Sequence, residues 1–149
     1  MRIEQYCIAV AATAALSGMG LGIFMAVSQD FTLMPAHAHL NLLGWVSMAL
    51  YGLYYRGAAL LRIRLAWVQA GVATAGFVTM TGALAALLVT LDHRFEALVG
   101  VGASLSLVAM ALFLVQVVTE SRPESRPESR RAPAAADEPF TELLPVEHG

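Results

Sequence analysis

The chain has 149 residues, 58% of them hydrophobic and only 13% charged, with a mean hydropathy of +0.65. A soluble domain of this size could not bury so much apolar surface, so the composition points to a membrane protein. All nine basic residues are arginine and the net charge is -2, which gives no case for nucleic acid. The single cysteine, Cys7, excludes an intrachain disulfide and a cysteine zinc cluster. At the start of an apolar run it reads as a small packed hydrophobe.

The first apolar segment runs from about Gln5 to Val27 without a charge, enough to cross a hydrocarbon core of ~30 Å as a helix. It is too long for the core of a signal peptide and comes after the acidic Glu4, so it reads as a retained helix. Gly18 and Gly22 within it are spaced as a small-xxx-small pair, a pattern that lets another helix approach closely. A polar loop, Ser28-Gln29-Asp30, comes next, and Pro35 then suits the first turn of a second helix, where its missing N–H costs nothing.

That second segment, 35–55, ends in Tyr51, Tyr54, Tyr55 and Arg56, which has the composition of an interfacial aromatic belt with a charged anchor. After an arginine-bearing loop, the third segment covers about 65–91. Trp67 near its start reads as another interfacial anchor. Its many small residues and threonines indicate helix packing, the hydroxyls returning bonds to their own helix. The turn 92–96 leads to the fourth segment, about 97–118. The expected fold is therefore an all-α bundle of four transmembrane helices over residues 1–119.

From Glu120 the composition changes. Ser-Arg-Pro-Glu occurs twice in succession and is followed by an Ala/Pro/Glu-rich end, so 120–149 is expected to be a disordered tail. Its short apolar patch, Phe140 with Leu143 and Leu144, reads as a docking peptide or as part of a featureless tail. In a four-pass topology Arg2, Arg56, Arg62, Arg64 and the tail arginines fall on one side and only Arg94 on the other. The positive-inside rule then makes both termini cytoplasmic, in a bacterial inner (plasma) membrane.

This topology gathers His37, His39 and His93 at the outer face, while His148 lies in the tail and is set aside. Ionisable residues at such places are functional candidates. Imidazole is a common ligand for heme iron, copper and zinc. Positions i and i+2 of a regular helix point about 200° apart, so His37 and His39 cannot both bind one ion from such a helix. His39 begins an apolar face continuing through Leu42, Leu43, Val46 and Leu50, suited to a porphyrin edge. His37 shares a face with Asn41, Gly44 and Met48, where Gly44 leaves a gap for a flat ring or another backbone. Asp92 and Glu96 flank His93. Asp92 reads as an exposed loop acid or as an orienting partner for His93. Beside these functional readings, histidines at a helix start also cap, bind water or sit at the headgroup level.

The run His37-Ala-His-Leu-Asn-Leu-Leu-Gly-Trp45, with Tyr51 and Tyr54-Tyr55-Arg56 closing the segment, resembles the second helix of heme–copper oxidase catalytic subunits. The likeness is to the C-type oxidases and nitric-oxide reductases, and it covers the first two segments. In that family a histidine at the outer end of this helix is an axial ligand of the low-spin heme b. The resemblance therefore implies His39 or His37 as a heme ligand, with His39 favoured because it lies deeper. The family's other heme ligands and its three copper-ligating histidines have no counterpart here, so a complete oxidase is not expected of this chain alone. His93, Met25, Met34 or a partner subunit is left to supply a second axial ligand.

Three functions are compatible with these residues. The first is a membrane protein that binds heme b through His39, His37 or His93, with Asn41 and Gly44 beside it, for electron transfer, heme sensing or heme handling. A homo-oligomer fits this reading, because one four-helix protomer has little room for a porphyrin and Gly18/Gly22 invites packing. The second is a copper or other metal-binding protein using the same three histidines, with Met19, Met25 and Met34 as soft donors. The third is a cofactor-free assembly subunit of a respiratory complex. No nucleophile–base pair, P-loop, dinucleotide fingerprint or paired intramembrane carboxylate occurs in the sequence.

Overall fold

The structure, a computed structural model, describes residues 1–58 and 62–120. The expected tail with its Ser-Arg-Pro-Glu repeat lies outside the described residues. Among these residues four helices follow one another: α1 (Ile3–Ser28), α2 (34–57), α3 (Ile63–Thr90) and α4 (Arg94–Glu120). There is no strand among the described residues, so the all-α expectation holds.

Local chemistry sets the helix ends. At the start of α1 the Arg2 N–H donates to Gln5 Oε1 at 3.2 Å, a side chain three residues on reaching back to the cap. Gln29 (φ 54°) and Leu91 (φ 55°) take the left-handed conformation that ends α1 and α3, and the Leu91 N–H still bonds the Leu87 carbonyl at 2.8 Å. Pro35 sits in the first turn of α2.

α2 is not uniform. Met34–His39 is α-helical, Leu40–Ser47 is π-helical, and Met48–Gly57 returns to α geometry. In the widened stretch Ser47 Oγ donates to the Leu42 carbonyl five residues back, at 2.9 Å. Such wide turns insert a residue into the helical count without ending the helix. Among the described residues, three helices are long and apolar enough to cross a membrane: α1, α3 and the stretch Arg94–Thr119 of α4.

α1 packs along α2 through a seam of small residues. Its buried positions are Ile3, Cys7, Ala11, Ala14, Gly18 and Met25, spaced three or four apart up to Gly18 and two turns further at Met25, as a packed helix face requires. The facing pairs fix the direction. A β-carbon built on Gly52 would meet Cys7 and Ile8, one on Gly44 would meet Ala14, and Gly18 faces Asn41. Numbers rise on α1 as they fall on α2, so the two helices run antiparallel. Fully buried Cys7 belongs to this seam, as the small packed hydrophobe expected of it.

α3 and α4 form the second antiparallel pair. They approach closely at Gly102, where an added β-carbon would lie 2.7 Å from Met80 Cα. No residue with a side chain fits there without the helices separating. The α3 threonines return bonds to their own helix, as at Thr74 to Ala70 (2.9 Å) and Thr81 to Phe77 (2.7 Å).

The aromatic cluster of α2 departs from the interfacial belt expected for it. Tyr51 and Tyr55 are each only 4% exposed. Phe113 of α4 packs on Tyr51 at 4.7 Å and edge-on to Tyr54 at 5.1 Å, measured between ring centroids. The tyrosines fall on the same face as buried Met48 and Gly52, so they turn into the bundle and not toward its rim. Trp67 is partly exposed, with Tyr6 of α1 as its ring neighbour at 5.3 Å.

Candidate functional site

Pro35, the end of the 28–34 loop and the first regular turns of α2 position the two histidines of the second helix. Because Met34–His39 is regular α-helix, His37 and His39 diverge as the spacing requires, and they meet different surroundings. His37 turns toward α1 and lies against Gly22, where an added β-carbon would meet its Cε1 at 3.3 Å. The Asn41 amide donates to the His37 carbonyl at 2.9 Å. Asn41 Nδ2 is 3.4 Å from His37 Nδ1 and 3.3 Å from Nε2. Being nearly equidistant from both nitrogens, it sits over the ring and not along either lone pair. Asn41 in turn rests on Gly18. The Gly18/Gly22 pair thus seats side chains of the protein's own α2. That intrachain use removes the reason for assigning the pair to contact with another copy.

His39 is placed differently. Its Nδ1 lies 2.7 Å from the Pro35 carbonyl oxygen. A carbonyl can only accept, so Nδ1 carries the proton, and in the neutral imidazole Nε2 presents a lone pair. The side chain is half-buried, and Leu42, Trp45, Val46 and Leu50 further along α2 are all exposed. An imidazole whose Nδ1–H is held by a backbone carbonyl has its ring orientation and tautomer fixed for metal binding through Nε2.

Gly44 is buried, and the gap it leaves is taken by the protein itself. A β-carbon there would stand 2.9 Å from Ala14 Cβ and 3.0 Å from Phe77 Cε2. The space read as room for a flat ring therefore accommodates α1 and α3.

His93 occupies the short turn between α3 and α4, with its side chain 86% exposed. Its Nδ1 pairs with Glu96 Oε1 at 2.6 Å. Glu96, and not Asp92, is thus its partner. Asp92 instead accepts from the Arg94 N–H at 3.0 Å and caps the start of α4. Among the described residues, no group of three or more His, Cys, Asp or Glu side chains is placed to hold a metal ion. His37, His39 and His93 are accordingly not one ligand set.

At the loop before α2, Asp30 Oδ1 accepts from Thr32 Oγ1 at 2.6 Å and from the Thr32 N–H at 2.9 Å. These two donors hold the carboxyl below the usual aspartate range. A groove of about 620 Å³ runs between α1 and α3, past Tyr6, Thr13, Phe77 and Thr81. Its wall contains no histidine.

A buried polar cluster escaped the sequence reading. Tyr55 OH donates to Gln69 Oε1 at 2.7 Å and accepts from Gln116 Nε2 at 3.0 Å, tying α2, α3 and α4 together. Gln69 is fully buried and Gln116 nearly so. The other amide atoms, Gln69 Nε2 and Gln116 Oε1, have no protein partner among the described residues. The signal was available, since a glutamine inside an apolar span needs a partner. Comparison with family models, with curated proteins and with solved structures gave no match for this chain.

Proposed function

We propose that the chain is a heme b-binding membrane protein in which His39 would hold the heme iron through Nε2, for electron transfer, heme sensing or heme handling. The observation that carries this reading is the hydrogen bond from His39 Nδ1 to the Pro35 carbonyl. It leaves a fixed, half-buried lone pair at the start of α2, with the exposed Leu42 about one turn further on. The likeness of residues 37–45 to the second helix of heme–copper oxidase catalytic subunits supports the same residue. When bound, the heme would supply a one-electron couple. His39 would orient it, and the exposed apolar side chains of α2 would cover one edge and exclude water. His37 is assigned to helix packing, and Asn41 and Gly44 with it. No second residue of this chain is assigned to hold the iron.

In this reading α2 is the fourth membrane span, and the arginine bias makes both termini cytoplasmic in a bacterial inner membrane. The histidine end of the bundle then faces outward. A redox difference spectrum of the detergent-purified protein, taken after heme is supplied, tests the assignment. Sharp b-type bands on reduction that vanish in His39→Ala are expected. A flat spectrum, or unchanged bands in that variant, overturns it, and metal analysis then decides on copper.

A cofactor-free assembly subunit is the second reading. It is favoured by one observation, that His37, Asn41 and Gly44 are all engaged in intrachain packing. Co-purification with respiratory subunits and no bound cofactor is its expected signature.

A further inference from the structure

The end of the bundle opposite the histidines carries a separate candidate. A groove of about 590 Å³ opens between the first turns of α1 and the last turns of α2. Ile8, Ala12 and Leu53 form its apolar wall, and Arg2, Glu4 and Arg56 line its polar end. Ile8 of α1 and Leu53 of α2 are both exposed. Ile8 packs in part against Gly52 of α2, and no helix of the described chain covers the outward sides of the two residues.

Charge at the polar end is unbalanced. Arg2 Nε pairs with Glu4 Oε1 at 2.5 Å, and the Glu4 side chain is mostly buried beneath it. A guanidinium has five N–H donors, and this contact employs only the one on Nε. Arg56 has no ion-pair partner among the described residues. Two guanidiniums thus face one carboxylate at the mouth of an apolar trough.

We propose that this groove binds one anionic glycerophospholipid. Its phosphate would lie at Arg56 and Arg2, with an acyl chain along Ile8, Ala12 and Leu53. The two chemistries of the groove select this ligand together. A free phosphate would satisfy the arginines and leave the apolar wall uncovered. A zwitterionic lipid would bring its own ammonium toward the two guanidiniums and lose the charge complementarity. Basic pockets between membrane-spanning helices recognise anionic headgroups by this combination. The proposal rests on the membrane reading of α1 and is independent of any heme.

The test is native mass spectrometry of the full chain, released from detergent containing equal phosphatidylglycerol and phosphatidylcholine. One retained phosphatidylglycerol is expected, favoured about fivefold for each arginine engaged. Arg56→Gln should lose the preference by that factor. Ala12→Trp, which fills the trough, should lose the lipid itself. Arg94→Gln, at the far end of the bundle, should retain it. Equal retention of both lipids by the unaltered protein overturns the proposal. So does phosphatidylglycerol retention unchanged in both Arg56→Gln and Ala12→Trp, or its displacement by millimolar inorganic phosphate alone. Arg56 is exposed, so its variant keeps the test decisive even where Ala12→Trp does not fold.

Discussion

His37 lies against Gly22: a β-carbon built on that glycine would come within 3.3 Å of the imidazole Cε1. One turn toward the N-terminus, Gly18 gives Asn41 its place in the same way, with an added β-carbon only 2.6 Å from Oδ1. Gly18→Ala should therefore push the Asn41 amide off the His37 carbonyl. The expected loss is about 1–2 kcal/mol, the worth of a hydrogen bond plus some overpacking. Gly20, between them, has nothing within 4 Å of an added β-carbon. Gly20→Ala should be neutral or stabilising by up to ~1 kcal/mol, from helix propensity alone. Thermal unfolding in detergent separates the two. Equal effects at both positions would mean that the small-residue seam is not where α1 meets α2.

The two histidines of α2 should behave oppositely on substitution. His37→Ala removes a ring packed between Gly22 and Asn41, so it should lower stability while leaving any heme spectrum in place. His39→Ala removes a half-buried side chain whose one hydrogen bond is to its own helix, so stability should change little while the spectrum is lost. Measuring unfolding and absorbance on the same preparations reads both effects. Loss of heme from His37→Ala at unchanged stability would reverse the assignment of roles.

The Tyr55 hydroxyl is shared by Gln69 and Gln116. Tyr55→Phe takes away a donor and an acceptor at once and leaves two buried amides further unpaired. About 1–3 kcal/mol of destabilisation is expected for each amide group so stranded. Replacing both glutamines by leucine in the Tyr55→Phe background removes the stranded groups altogether. The triple variant should thus recover most of the loss, since apolar replacement of a whole polar set is close to neutral. A triple variant no more stable than Tyr55→Phe alone would argue that the cluster is not held by these bonds.

Asp30 offers a pH readout outside the helices. Its carboxyl sits below the usual aspartate value because Thr32 donates to it twice. A lowered folded-state pKa contributes stability above the unfolded value and loses it as pH falls through the folded one. An NMR titration of the Asp30 carboxyl should give a midpoint below that of free aspartate. Thr32→Ala removes the hydroxyl donor, the largest cause of the shift, and should move the midpoint back up. Coincident midpoints in the two proteins would refute the turn.

Much of the helical layout was legible in sequence because apolar runs and their polar punctuation are local signals. Pro35 announced the first turn of α2, and the 37/39 spacing correctly placed the two histidines in different surroundings. What was not legible is what each face meets. Gly18, Gly22 and Gly44 declared close approach, but not that α1, α2 and α3 fill those spaces among themselves. Tyr51 and Tyr55 near an arginine have the composition of a membrane rim. Only the packing of α4, through Phe113, shows that they point inward. The choice of Glu96 over Asp92 as the partner of His93 depends on how the turn before α4 winds, which two flanking acids do not specify.

The π-helical stretch of α2 has a consequence for how its two ends are related. Each residue of a regular helix rotates the chain by about 100°, so a widened turn acts as a phase offset between the residues before it and those after it. The histidines stand before Leu40–Ser47 and the buried tyrosines after it. Deleting a single residue there would let the helix relax to regular pitch without shortening either end. The tyrosines, fixed by Phe113, Gln69 and Gln116, would hold their orientation, and the histidine end would turn instead. The orientation of His39 relative to the buried tyrosines is thereby set by the residue count of the stretch that begins immediately after it, and a one-residue change in length there would redirect it while every side chain at the site stayed the same.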